Sequence, residues 1–181
     1  VAEAAVKAGA DMVNDISGLR ADPNMAETVA KLDVPVVLMH MLGEPKTMQN
    51  NPRYKSVVPE VIAALSQSVE KAIAAGVRPE NIIVDPGIGV GKFGKLLHHN
   101  LTLLRRLRAL RSLGYPVLIG TSRKSMIGQV LDLPVDERLE GTASTVELSV
   151  AGLAEIVRVH DVAAMHRVVR MADAVVRGDP A

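Results

Sequence analysis

Apolar residues in this 181-residue chain fall into short runs separated by longer stretches with helical spacing. The runs are Asp11-Met-Val-Asn-Asp15, Val34-Pro-Val-Val-Leu-Met-His40, Asn81-Ile-Ile-Val-Asp85, Pro116-Val-Leu-Ile-Gly120 and Glu155-Ile-Val-Arg-Val-His160. Their nearly continuous aliphatic character is that of strands buried on both faces of a parallel sheet. Between them, Met25 to Leu32, Val57 to Ala75, Asn100 to Leu113, Asp136 to Ala151 and Val162 to Val176 repeat apolar positions at the interval of an amphipathic helix. Asp22-Pro23-Asn24 leads into one helix, and Asp161 is suited to N-cap the last. Gly76 and Gly114 stand where a left-handed residue ends a helix. Val1 to Ala10 reads as the tail of a helix, with more chain expected upstream.

The β–α alternation runs without a linker or low-complexity segment, which predicts a single α/β domain over residues 1–181. An open doubly wound sheet and part of an eight-stranded barrel both accommodate it. The first strand-to-helix turn has no Gly-x-Gly-x-x-Gly fingerprint, which weakens the dinucleotide-binding version of the open sheet. Polar residues decide between them. Asn14, His40, Asp85, Ser122, Arg158 and His160 all sit at or just past the C-terminal ends of the runs, where the active sites of β/α barrels assemble. One ligand touches all these tips easily in a barrel and awkwardly in an open sheet.

Composition removes several alternatives. Twenty-one basic against 20 acidic residues give a net charge of +1, too little for a field that recruits nucleic acid or an anionic membrane. At 2% aromatic content there is little with which to stack bases. No apolar run approaches the roughly 20 residues of a membrane span, and no signal-peptide pattern is seen. The absence of cysteine excludes disulfides, thiolate metal sites and a cysteine nucleophile, and fits a reducing, cytoplasmic setting.

Four tips carry candidate chemistry. Asp85-Pro-Gly-Ile-Gly-Val-Gly-Lys92 frees backbone N–H groups to approach a flat ring or a phosphate, although its spacing is not that of a P-loop. In Gly120-Thr-Ser-Arg-Lys-Ser125, continued extension past Gly120 would put Ser122 and Lys124 on one face, with Ser125 opening a helix. Arg158-Val-His160 puts two basic side chains on one face and Val159 on the other, a pattern suited to an anion. Met39-His40 opens a loop too rich in special residues for a minimal connection.

Together, Asn14-Asp15-Ile16, Met39-His-Met-Leu-Gly-Glu-Pro-Lys-Thr-Met48, Asp85-Pro-Gly-Ile-Gly, Ser122-Arg-Lys-Ser-Met-Ile-Gly128 and Arg158-Val-His-Asp-Val162 resemble, in order and spacing, the motifs of dihydropteroate synthases. The resemblance covers essentially the whole chain. It implies a (β/α)8 TIM barrel, of which this chain supplies strands four to eight while strands one to three are missing. It implies a transferase of folate biosynthesis, a sulfonamide target, that joins 6-hydroxymethyl-7,8-dihydropterin diphosphate to p-aminobenzoate and releases pyrophosphate. By the same resemblance the pterin would meet Asn14, Ile16, Met39, Asp85, Gly120 and Lys124, and the diphosphate would meet Arg158, Val159 and His160. Ser122, Ser125, Val90 and Phe93 would face p-aminobenzoate. Magnesium would bridge the diphosphate with its protein ligand in the missing segment, so no metal ligand is expected in this chain. The late helices, Asp136 to Ala151 and Val162 to Val176, would form a homodimer interface. The 181 residues alone are expected not to turn over substrate.

The chain departs from the family pattern after Gly89. Val90 stands where the family commonly has phenylalanine, and Phe93-Gly-Lys-Leu-Leu-His98 lengthens the loop, so Phe93 is expected to swing in as the replacement ring. The pterin-binding barrel of a corrinoid-dependent methyltransferase is the rival enzyme, but it has no need of Ser-Arg-Lys-Ser or Arg-Val-His-Asp. A non-catalytic pterin-binding homologue is the rival of a different class.

Overall fold

The computed structural model describes residues 1–43, 48 and 51–178. Glu44 to Thr47 and Gln49, in the loop singled out after the second run, lie outside the described residues, as does the C-terminal end of the 1–181 domain. Five parallel strands alternate with helices: β1 Val13–Asp15, β2 Val36–Met39, β3 Ile82–Asp85, β4 Leu118–Ile119 and β5 Ile156–Val157. The helices are α1 Ala2–Lys7, α2 Met25–Leu32, α3 Val57–Ala74, α4 Leu97–Arg105, α5 Ser125–Leu131, α6 Leu139–Ala151 and α7 Val162–Val176. β1, β2 and β3 pair in sequence order, and so do β4 and β5. A parallel bridge between Val84 and Val117, with Val84 N–H donating to the Pro116 carbonyl at 2.9 Å, joins the two groups into one arc.

The two faces of the arc differ. Val36, Leu38, Ile82, Val84, Val117 and Ile119 pack with Val29, Val61, Leu65, Leu103 and Leu107 of the helical layer in the main core. Val37, Ile83 and Leu118 instead meet one another and Ile156 in a small separate cluster made by strands alone. An open doubly wound sheet would carry helices on both faces, whereas a barrel keeps them outside and fills its interior with strand residues. The architecture is therefore a partial (β/α)8 barrel.

Several sequence expectations need correction. The strands are shorter than the apolar runs, because a ladder extends only where a neighbour is in register. β2, β3 and β4 are buried throughout, but β1 alternates and β5 is half-buried. Those two are the ends of the arc, where burial on both faces fails for want of a neighbour. The helix expected from Asn100 starts at Leu97 and gives way to a 3₁₀ segment over Leu107–Leu113, and the one expected from Asp136 begins at Leu139 after a 3₁₀ turn at Val135–Glu137. Asp161 precedes α7 but makes no capping hydrogen bond, since its carboxylate is engaged by Arg123. Gly76 and Gly114 adopt the left-handed conformation at φ 94° and 77°. Among the described residues, no helix is long and apolar enough to cross a membrane.

Candidate functional site

Strand periodicity assembles the site. Asn14 is in register with Val37, and Val37 with Ile83, so the inner-face layer runs through Asn14, Val37 and Ile83 and on to Leu118 and Ile156. Two residues further along each strand, the same face reaches Ile16, Met39, Asp85, Gly120 and Arg158. Met39 is the register partner of Asp85. Asn14 and Ile16 are exposed at the open end of the arc, whereas Met39, Asp85 and Gly120 are buried.

Asp85 is the charged group at the centre. The Gly87 N–H donates to its Oδ1 at 2.7 Å. Burial pushes its carboxyl above the usual carboxylate range, opposed by the Gly87 hydrogen bond and then by the positive charges of Lys124, Lys95 and Arg158. Gly87 is at φ 70°, and a Cβ there would lie 2.2 Å from the His40 carbonyl oxygen, so only glycine permits this approach. Lys124 is half-buried and donates to the Ile88 carbonyl. Desolvation holds its amine below the ordinary lysine value, with the Asp85 charge working the other way and Arg158 adding to the decrease.

Gly120 opens the space between the basic groups: a Cβ on it would stand 3.8 Å from both the Lys124 Nζ and the Arg158 Cβ. Gly120, Ser122, Lys124, Arg158, Val159 and His160 line a small cavity of about 100 Å³. Ser122 Oγ lies 2.9 Å from His160 Nδ1 and accepts the His160 backbone N–H at 3.1 Å. The expected continuous extension past Gly120 does not occur. Arg123 takes a left-handed φ of 53°, turns away and forms a two-point pair with Asp161 at 2.9 and 2.7 Å. That turn still leaves Ser122 and Lys124 on the same cavity, because Arg123 absorbs the change of direction.

The loop after Asp85 folds as a tight hairpin, with an antiparallel bridge between Lys92 and Lys95 and Phe93 and Gly94 at the turn, φ 59° and 67°. The Phe93 ring packs over Gly89 and lies 5.6 Å, centroid to Nζ, from Lys124. Half-buried Val90 accepts a hydrogen bond through its carbonyl from the Ser125 hydroxyl at 3.1 Å. Phe93 thus meets Lys124 and Ser125 meets Val90, while Ser122 is paired with His160.

Sequence reasoning missed three supports. Fully buried Asn100 accepts the Gly89 N–H at 2.6 Å and donates to Leu96 at 2.7 Å, which ties the Gly-rich loop to α4. The Arg123–Asp161 pair fastens the Lys124 turn to the head of α7. Fully buried Lys95 sits at 2.8 Å from His40 Nδ1. A signal for the last was present, since Val90-Gly91-Lys92 is repeated at once as Phe93-Gly94-Lys95.

Residues 1–160 match the family model described as pterin binding enzyme. The chain belongs to the pterin-binding enzyme family. Within that family it is 48% identical over 178 residues to a dihydropteroate synthase of Synechocystis, covering 98% of this chain and 61% of the relative. A solved dihydropteroate synthase from Thermus thermophilus in complex with 6HMPPP superposes with a TM-score of 0.89 at 41% identity, covering 97% of this chain and 68% of that one. The same organism's enzyme in complex with 4-aminobenzoate gives 0.89 and 41%, covering 97% and 66%. The chain thus spans about three-fifths of the length of the curated relative, and its fold superposes on about two-thirds of each solved relative.

Proposed function

We propose that this chain forms strands four to eight of a dihydropteroate synthase, with strands one to three supplied by sequence outside these 181 residues. The observation that carries the reading is the convergence of one buried carboxylate, Asp85, with the cations Lys124 and Arg158 at a common mouth, next to a cavity lined by Arg158, Val159 and His160. A pterin presents its 2-amino group and N3–H as paired donors, and a carboxylate accepts both. Asp85 takes that edge, Asn14 and Lys124 complete the ring's hydrogen bonding, and Ile16, Met39 and Gly120 flank its faces.

The diphosphate occupies the basic cavity, held by Arg158, His160 and the Val159 N–H, with Ser122 fixing the imidazole. The aniline nitrogen of p-aminobenzoate forms a bond to the pterin methylene carbon as the carbon–oxygen bond to diphosphate breaks. The electron pair leaves with pyrophosphate, and the aniline proton passes to solvent. Positive charge round the cavity stabilises the departing anion, so no protein nucleophile is needed. Phe93 and Val90 wall the p-aminobenzoate, whose carboxylate competes for the Ser125 hydroxyl now held by Val90.

The cavity groups do not fit magnesium. They are cations, hydroxyls and N–H donors, and no cluster of three or more metal-binding side chains occurs among the described residues. Magnesium in the reaction would take its protein ligand from outside this chain. The arginine and histidine at the cavity also favour a synthase over a methyltransferase barrel, which has no diphosphate to hold. A homodimer through α6 and α7 and a cytoplasmic location complete the reading. The apolar groove between these helices, lined among others by Ala143, Met165, Val168, Met171 and Val175, supports the dimer.

The test is a coupled pyrophosphate-release assay on this chain spliced behind the N-terminal portion of the Synechocystis relative. Pyrophosphate release that requires both 6-hydroxymethyl-7,8-dihydropterin diphosphate and p-aminobenzoate is expected. A folded chimera that binds pterin without turnover would instead make this a non-catalytic homologue.

A further inference from the structure

Lys95 is a buried charged group that takes no part in the proposed reaction. It is fully shielded from solvent, an expensive place for an ammonium unless it serves a neighbour. Its Nζ lies 2.8 Å from His40 Nδ1, 3.2 Å from the His40 carbonyl and 3.3 Å from the Phe93 carbonyl, so its three donors are committed to the end of β2 and to the hairpin. The same nitrogen is 3.3 Å from where a Gly87 Cβ would stand, and Gly87 carries the N–H that holds Asp85. Lys92, the equivalent lysine of the first Gly-Lys copy, is exposed. The hairpin therefore carries the second copy, not the first, inward to His40 and the Gly87 turn.

We propose that Lys95 is a positioning residue for pterin recognition: it fixes the Gly87 turn and supplies the buried positive charge that keeps the Asp85 carboxylate ready to accept the ring's two donors. This rests on the reading of Asp85 as the pterin acceptor. The surroundings agree with it. Asp85 is faced by Lys95 from the hairpin, by Lys124 from the head of α5 and by Arg158 beyond β5. Lys95 in turn is faced by Asp85, Lys124 and Arg20, and by His40 at its own hydrogen-bond distance. Desolvation brings the Lys95 amine down to about 7, with the Asp85 charge the main influence in the opposite direction. The His40 imidazole is held near 3 by burial and then by the Lys95 charge, so it stays neutral and accepts from Lys95 through Nδ1.

Two readouts on the protein and on Lys95→Met separate this role from simple loop anchoring. One is the titration midpoint of the Asp85 carboxyl carbon by NMR, which needs no ligand, and the other is pterin affinity by calorimetry. Removing the cation should raise the Asp85 midpoint by about one pH unit and weaken pterin binding by up to about tenfold at pH below that midpoint. An unmoved Asp85 midpoint, even with a lowered Tm, would overturn the proposal, as would unchanged pterin affinity in the variant. Should the unsubstituted protein bind no pterin at all, the Asp85 reading falls, and an Asp85 midpoint that still moves in Lys95→Met keeps the charge coupling. If Lys95→Met does not fold, the unsubstituted protein decides: the Asp85 carbon should show a second inflection in step with the Lys95 Nζ resonance, and a single-step curve overturns the assignment.

Discussion

Replacing Asp85 with asparagine should set ligand binding and stability moving in opposite directions. Asparagine keeps the shape and an oxygen for the Gly87 N–H, now at 2.7 Å, but turns the second oxygen into a donor and removes the charge. A pterin that gave two charge-assisted hydrogen bonds, each about 1.5–3 kcal/mol, finds one neutral acceptor and one opposing donor. The loss is at least about 3 kcal/mol, on the order of a hundredfold in affinity. Stability responds the other way. Because burial raises the folded carboxyl above its ordinary 3.8, the protonated form is favoured on folding, and that contribution is full below the unfolded value and is lost as pH rises through the folded one. At neutral pH the ionised Asp85 therefore costs stability that Asp85→Asn recovers. A domain of this size gains about 2–4 °C in Tm per kcal/mol. Thermal scans across pH should show Asp85→Asn the more stable at pH 7, with the gap closing toward pH 4, while calorimetry shows pterin binding nearly abolished. A variant that binds pterin within about threefold of the parent would remove Asp85 from the pterin edge. One that melts lower at neutral pH would mean that the three facing cations outweigh desolvation.

Gly87→Ala should lower Tm by several degrees and pterin affinity with it. Its Cβ meets the His40 oxygen at 2.2 Å, and the left-handed backbone alone costs about 1–2 kcal/mol; equal melting curves would contradict the close approach. Phe93→Ala in the completed enzyme should raise the p-aminobenzoate KM and leave the pterin diphosphate KM in place, and an unchanged p-aminobenzoate KM would remove the ring from that pocket. Met171, 66% exposed beside the groove of α6 and α7, should when changed to glutamate reduce a dimer to monomer by light scattering; an unaltered mass would place the interface elsewhere.

Much of the site was legible because strand ends are places where type and position coincide. Asp85, Gly120 and Arg158 stand at even spacing from the inward-facing Ile83, Leu118 and Ile156, so periodicity alone puts them on the inner face. What periodicity could not give was the turn chemistry beyond the last strand residue. Extrapolating the strand past Gly120 failed at Arg123, whose left-handed turn is held by Asp161, a partner 38 positions away that local spacing does not reveal. Lys95 was hidden for a related reason. A lysine in a Gly-rich loop ordinarily faces water, and only the hairpin that pairs it with Lys92 carries it inward to His40. Helix limits were misjudged round Leu107 and Leu139, where 3₁₀ turns share the apolar spacing of the adjoining α-helices.

The hairpin tip also sets function against comfort. Both of its central residues require a left-handed backbone, which Asn-Gly fulfils cheaply and Phe-Gly does not. A selection for thermal tolerance in this loop would favour Phe93→Asn, keep the Lys95 anchor below it, and leave a firmer loop bare of the aromatic surface beside Lys124.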